Sequence, residues 1–166
     1  EHARCFLVPV GPSADAAMAR TFEAMRNGDD ESPQLMIDGR PLVARRRAGS
    51  AIWFDFHALC DGPRSQRDYL ELAQRFAVVF LSGIPVMSAE QRDLARRFTW
   101  LVDILYDHKV KLVASADAPA EALYVAGHNA QEFPRTVSRL IEMRTHDYLA
   151  LPHAADGAPA ALPVPA

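Results

Sequence analysis

Apolar residues fall along this chain in two patterns, short continuous runs and helical stripes. The runs at 5–8, 51–56, 78–81 and 110–114 predict strands, and those at 78 and 110 do not alternate, as expected for strands covered on both faces. Apolar residues three or four positions apart predict helices at 13–26, 66–76 and after 88. Because strands and helices alternate after Ala51, the pattern predicts an α/β fold with a parallel three-layer unit.

Polar residues mark where these elements begin, turn and end. Ser13 is a candidate N-cap for the first helix, which Asn27-Gly28 would terminate. Ser65 with Asp68, and Ser88 with Gln91, have the spacing of capping boxes. Asp38-Gly39 separates 34–37 from 40–46 and predicts an antiparallel hairpin, because a tight turn requires positive φ at both central positions.

The last third of the chain predicts a short helix at 119–124 and a longer one beginning at Phe133-Pro134. The expected buried stripe of the longer helix consists of Val137, Leu140, Ile141 and Tyr148. Residues 151–166 are mostly Ala and Pro, a composition that predicts a disordered tail. We therefore predict one domain over 1–150, followed by this tail.

Composition narrows the class of protein. The chain has 166 residues, 49% apolar and 23% charged, with a net charge of -3, which disfavours nucleic-acid binding through bulk charge. Two cysteines are too few for a disulfide scaffold or a four-cysteine zinc site, and a reduced, cytoplasmic setting is the simplest interpretation. No run suggests a membrane span or a signal peptide. The start without Met, close to an apolar run, is typical of a piece of a longer protein.

A nucleotide-hydrolysing phosphate loop requires Gly-x-x-x-x-Gly-Lys followed by Ser or Thr, since its backbone amides cradle the phosphates and its lysine neutralises charge. The only lysines are Lys109 and Lys111, and neither follows a glycine. The chain therefore lacks this loop. Asp55 ends an apolar strand as a magnesium ligand would, but a plain strand end is the favoured interpretation.

Three other groupings have ordinary structural explanations as well as chemical ones. His57 and Cys60 have the spacing of a ligand pair, but zinc needs three or four ligands and no second pair appears. Ser115, Asp117 and His128 form a hydrolase-like set without a nucleophile elbow. Asp103 and Asp107 share a helix face, where ion pairs with Arg96 and Arg97 of the same helix would explain them.

The last predicted helix carries three arginines, Arg135, Arg139 and Arg144. Arg135 and Arg139 are one turn apart and face the same way, and a guanidinium suits bidentate contact with phosphate or carboxylate. The alternative is a surface ladder of ion pairs with Glu142 and Asp147.

Three stretches together resemble the ZapE-type (ATPase-family-gene-one-like) P-loop ATPases. They are Phe54-Asp-Phe-His-Ala-Leu-Cys60 with Pro63-Arg-Ser-Gln-Arg-Asp-Tyr-Leu70; Ile84-Pro85 with Ala95-Arg-Arg-Phe98, Leu101-Val-Asp103, Leu105-Tyr-Asp107 and Val110-Lys-Leu-Val-Ala-Ser-Ala116; and Phe133-Pro-Arg-Thr-Val-Ser-Arg-Leu140 with Glu142-Met143 and Tyr148. Their order and spacing match the family from about residue 51 to 149. The resemblance implies that the chain is the C-terminal part of an AAA-like protein whose phosphate loop, magnesium carboxylates and first sensor lie in an N-terminal core.

The resemblance also implies partners and cofactors. The whole protein would require ATP and Mg²⁺, would assemble as a homo-oligomer, and would be associated with cell division in bacteria or with protein quality control in mitochondria. This chain alone is expected to bind neither cofactor and to have no catalytic residue. Arg135 and Arg139 are then candidates for sensing the nucleotide state. Two functions stay open: an assembly or regulatory half of an ATPase, and an independent protein-binding adaptor; a small hydrolase is a weaker third.

Overall fold

The computed structural model describes residues 5–155, in which five strands form one sheet in the order β1-β7-β6-β5-β4. The strands of this sheet are β1 (Phe6–Leu7), β4 (Arg46–Ala48), β5 (Ala51–Asp55), β6 (Val78–Ile84) and β7 (Lys111–Ala116). β1, β7, β6 and β5 are mutually parallel, and β4 pairs antiparallel with β5. A separate two-stranded sheet holds β2 (Gln34–Ile37) and β3 (Arg40–Val43). The predicted α/β class with an antiparallel hairpin is confirmed.

Alternate residues of the strands enter two separate cores, one on each face of the sheet. The α-helices of the described residues are, in chain order, α1 (Pro12–Met25), α2 (Phe56–Cys60), α3 (Gln66–Arg75), α4 (Arg92–Asp107), α5 (Phe133–Glu142) and α6 (His146–Leu149). On one face Trp53 and Phe80 pack with Met18 and Phe22 of α1, and the rings of Phe22 and Phe80 are 5.1 Å apart. On the other face Phe54 and its neighbours join side chains of α3, α4 and α5. Because both faces are covered, the strands are apolar throughout.

The hairpin turn forms as predicted, whereas the second strand of the hairpin is shorter. Asp38 and Gly39 have φ of 51° and 75°, the left-handed conformation that a tight hairpin turn needs. The predicted strand 40–46 is wrong at its end, because β3 stops at Val43 and Arg46 begins β4, which pairs with β5 of the main sheet. A local pattern cannot show that one extended segment changes sheets.

Both predicted capping boxes form, whereas the predicted N-cap of α1 does not. The boxes lie at Ser65 before α3 and at Ser88 before a 3₁₀ turn that leads into α4. Ser13 is not the N-cap of α1; Gly11 holds that position and Pro12 follows it at the first turn. Proline is favoured there because its missing N–H would have no partner in the helix.

Near the end of the described chain, the residues that are buried differ from those of the predicted stripe. Ile141 is 42% exposed, contrary to the prediction, while Met143 is buried. Ile141 lies within α5 but at the edge of the face that buries Phe133, Val137 and Leu140. Beyond Glu142 the helical spacing does not continue, because α5 ends there and Thr145 caps a new short helix, α6. The predicted helix at 119–124 is a 3₁₀ turn at Ala120–Ala122, and the short α2 was not predicted.

Residues 156–166, which make up most of the predicted tail, lie outside the described residues. Just before them, the Ala154 amide donates to the His108 carbonyl at 2.8 Å, and His153 Nε2 lies 2.6 Å from the Ala73 carbonyl oxygen. Within residues 5–155, no helix has the length and apolarity needed to cross a membrane.

Candidate functional site

A cleft of about 350 Å³ separates α4 from the segment that leads into α5. One wall, from α4, is lined by Arg92, Arg96, Thr99, Trp100 and Asp103. The opposite wall is lined by Tyr124, His128, Asn129, Glu132, Phe133 and Arg135. We call this groove the arginine cleft. Its α4 residues are three or four positions apart, so the helix presents them along one face beside its buried stripe.

Backbone geometry shapes the second wall. Gly127 has φ of 127°, and Asn129 has φ of 61°, so the chain turns sharply between Tyr124 and α5. The Tyr124 hydroxyl donates to the His128 carbonyl at 2.7 Å and fixes the loop. A Cβ at Gly127 would lie 2.6 Å from the Tyr124 hydroxyl oxygen, closer than packing allows, so glycine is required here.

Two contacts join α4 to α5 at the base of the cleft. Arg139 Nη1 lies 2.6 Å from Asp103 Oδ1, and the guanidinium is 4.8 Å from the centre of the Tyr106 ring. The Tyr106 hydroxyl donates to Glu142 at 2.8 Å, and this bond raises the pKa of Tyr106 above its usual value. Arg139 therefore does not line the cleft, but it binds Asp103 of the cleft wall and holds α5 against α4.

The ion pairs differ from those that the helix spacing suggested. Asp103 pairs with Arg139 across two helices, and not with an arginine of its own helix. Arg96 pairs with Asp93 at 3.0 Å, and Arg97 donates to the Cys60 carbonyl. The interpretation of Asp103 by intrahelical ion pairs is therefore wrong.

Arg135 lies exposed at the mouth of the cleft on the first turn of α5. Among residues 5–155, neither Arg135 nor Arg92 has a hydrogen-bond or ion-pair partner, and the Glu132 carboxylate has none either. Of the two predicted arginines, Arg135 thus lines the cleft, whereas Arg139 lies one turn further along α5 and is bound to Asp103. Arg92, Trp100 and Glu132 were not predicted, because their meeting depends on how α4 and α5 pack.

The sheet edge that ends in Asp55 is a second polar cluster. Asp55 Oδ1 lies 3.4 Å from Arg45 Nη1, and the same guanidinium lies 3.7 Å from Asp15. Arg45 also donates to Ser82 at 3.1 Å and stacks 4.6 Å from the centre of the Trp53 ring. The Arg45 guanidinium thus lies close to one oxygen of the Asp55 carboxylate.

The resemblance places the nucleotide groups of the family outside this chain, and the described residues can be tested for such groups. A phosphate loop joins a strand to the helix that follows it. Here the segment from β1 to α1 carries Pro12, which has no N–H, and it contains no lysine. This segment therefore does not have the composition of a phosphate loop.

The remaining candidate groupings do not assemble. Cys60 is fully buried, and burial raises the pKa of its thiol to about 12, while His57 is exposed and lies 3.2 Å from Asp61. Across residues 5–155, no three His, Cys, Asp or Glu side chains lie close enough to hold a metal. The buried Ser115 hydroxyl accepts from the Gly83 amide at 2.9 Å and does not line the cleft that contains His128.

Comparisons with known proteins agree with the resemblance. The AFG1-like ATPase family matches residues 1–152. The chain is 38% identical over 154 residues to the cell division protein ZapE of Escherichia coli K12, covering 92% of this chain and 41% of that protein. It is 32% identical over 180 residues to lactation elevated protein 1 homolog B of Danio rerio, covering 87% of this chain and 36% of that one.

No solved structure matches the chain. The chain spans well under half the length of these two relatives, 41% and 36%. Since the family matches nearly all of the described residues, and the first relative is 38% identical over 92% of the chain, the chain belongs to the AFG1-like ATPase family.

Proposed function

We propose that this chain is the assembly and regulatory half of an AFG1-like ATPase, and that ATP hydrolysis with Mg²⁺ takes place in a separate ATPase half of the same protein. In this proposal the two halves pack together and the protein forms a cytoplasmic homo-oligomer. The E. coli relative is named for cell division, and we extend a role in division to this protein as part of the proposal.

The observation that carries the proposal is the unengaged Arg135 at the mouth of a formed cleft. Arginines elsewhere in the structure mostly satisfy their charge locally, as Arg139 does with Asp103. An exposed guanidinium held on the first turn of a helix is suited to contact another protein surface. If that surface moves with the nucleotide state, Arg135 couples the two halves.

The decisive test replaces Arg135 by Ala in the protein joined to its ATPase half. We expect ATP turnover to fall about 5- to 150-fold, the usual range for coupling between sites. Arg20→Ala is the matched control, because Arg20 is also exposed and has no partner among residues 5–155 but lies on α1, away from the cleft. Turnover and assembly that both stay unchanged in Arg135→Ala would show that the proposed role is wrong.

An adaptor function is favoured by a different observation, the outer face of the β2-β3 hairpin. Met36 and Val43 are 55% and 56% exposed there, beside the exposed Pro41. An exposed apolar strand face is suited to protein binding. The sequence encoded upstream of Glu1 distinguishes the two functions. If the chain is half of an ATPase, that sequence must contain Gly-x-x-x-x-Gly-Lys-Ser or Gly-x-x-x-x-Gly-Lys-Thr, whereas an adaptor does not need this motif. ATP turnover by this chain alone would contradict both.

A further inference from the structure

The charges of the arginine cleft do not balance. Arg96 is paired with Asp93, and Asp103 is paired with Arg139, so these groups are neutralised locally. Of the charged residues that line the cleft, Arg92, Arg135 and Glu132 have no partner within residues 5–155. Two positive charges and one negative charge leave an excess of one positive charge. The cleft is therefore matched to a ligand group that carries a single negative charge.

This excess distinguishes a carboxylate from a phosphate. Guanidinium groups bind both bidentately. A nucleotide phosphate chain carries several negative charges and would meet the Glu132 carboxylate in the same groove, which opposes its binding by like-charge repulsion. One Asp or Glu side chain brings the single charge that neutralises the cleft.

The uncharged residues in and beside the arginine cleft are of the types found at protein–protein interfaces. The Trp100 ring is only partly buried, and the Arg96 guanidinium lies 5.5 Å from its centre. Val125, next to Tyr124 at the rim, is 71% exposed. Tryptophan and arginine dominate the binding energy of protein interfaces, and a nearby exposed valine adds apolar area. Together they fit a peptide segment in which an acidic residue has apolar neighbours.

We propose that the arginine cleft is the docking site for an acidic segment of the ATPase half, with one carboxylate bound between Arg92 and Arg135. This inference rests on the proposed function and specifies its contact. The relatives are more than twice the length of the match, so most of a family protein is available to supply that segment. The cleft is braced by Arg139 and by the Gly127 turn, so its walls are formed before docking.

A zero-length crosslink identifies the occupant directly. Arg135→Lys puts a primary amine at the mouth of the cleft in the protein joined to its ATPase half. A carbodiimide then condenses that amine with a carboxylate in contact with it, with loss of water. The background is low because the chain has only two lysines of its own, Lys109 and Lys111, and the Lys111 ammonium is bonded to three backbone carbonyls.

We expect mass spectrometry to find position 135 joined to an Asp or Glu of the ATPase half. Arg20→Lys, treated identically, should lack this crosslink. The inference is overturned if position 135 joins only to carboxylates within residues 1–166, such as Glu132, or if both variants give the same products. An unchanged melting temperature and elution volume of Arg135→Lys, compared with the parent protein, show that the variant is folded and assembled.

Charge exchange supplies the second measurement. Arg135→Glu should lower turnover at least about fivefold, and replacing the crosslinked acid by Arg in the same protein should restore most of it. Absence of any recovery contradicts the carboxylate pair. If position 135 crosslinks to the ATPase half but Arg135→Ala has normal turnover, the contact is supported and the coupling function is refuted. If turnover falls but no such crosslink forms, the coupling function is supported and the carboxylate contact is refuted.

Discussion

The ion pair between Arg139 and Asp103 is predicted to stabilise the packing of α5 on α4. Arg139→Ala removes the partner from Asp103, whose carboxylate lies 2.6 Å from the guanidinium, and it also removes the cation above the Tyr106 ring. The two paired side chains are 20% and 28% exposed, between the fully buried and the surface case. The carboxylate left behind stays partly desolvated, which makes the loss larger than for a surface pair.

The expected loss of folding stability follows from the partial exposure of the two side chains. Breaking a fully buried pair costs ~3–5 kcal/mol and breaking an exposed pair costs at most ~1 kcal/mol, so we expect ~2 kcal/mol here. The cation–π contact adds ~0.5 kcal/mol. For a domain of this size, ~2.5 kcal/mol lowers the melting temperature by ~5–10 °C.

A double-mutant cycle of Arg139→Ala, Asp103→Ala and the double variant, measured by thermal and urea unfolding, gives the coupling energy of the ion pair. We expect a coupling energy of ~1–2 kcal/mol between the two positions. Arg67→Ala is the control, because Arg67 is 83% exposed and lies 3.8 Å from Asp38, so its loss should cost below ~0.5 kcal/mol. A coupling energy under ~0.3 kcal/mol would refute the argument that this pair joins the two helices.

Three further predictions concern the turn beside the cleft, the buried thiol and the last helix. Gly127→Ala should lower the free energy of unfolding by ~1–3 kcal/mol in urea titration, since its Cβ would collide with Tyr124 in a left-handed conformation; an unchanged midpoint would contradict this. Cys60 should resist iodoacetamide at pH 8 in the folded protein and react after unfolding, because its pKa of about 12 leaves almost no thiolate; rapid native labelling would contradict its burial. Tyr148→Phe should cost ~1–2 kcal/mol by thermal unfolding, since the hydroxyl donates to Val110 at 2.8 Å; full stability would mean that this bond adds nothing.

The arginine cleft shows which residues of a site can be predicted from sequence and which cannot. The family resemblance makes Arg135 and Arg139 candidates, and their spacing predicts one helix face; in the structure Arg135 lines the groove and Arg139 binds Asp103 of its wall. Their difference was not predictable, because the partner of Arg139 lies 36 positions away on α4. Arg92 gave no signal of its own, and only the approach of α5 to α4 brings it near Arg135.

The sequence by itself determined the features that depend on neighbouring residues. The Ser65 and Ser88 boxes and the Asp38-Gly39 turn join groups at most three positions apart, so their geometry follows from local chemistry. The missing phosphate loop is likewise a property of the chain alone. The tertiary structure decided which strand Arg46 joins and which cation neutralises Asp103. Those outcomes depend on surfaces distant in sequence, and their partners are chosen by the packing that buries the most apolar area.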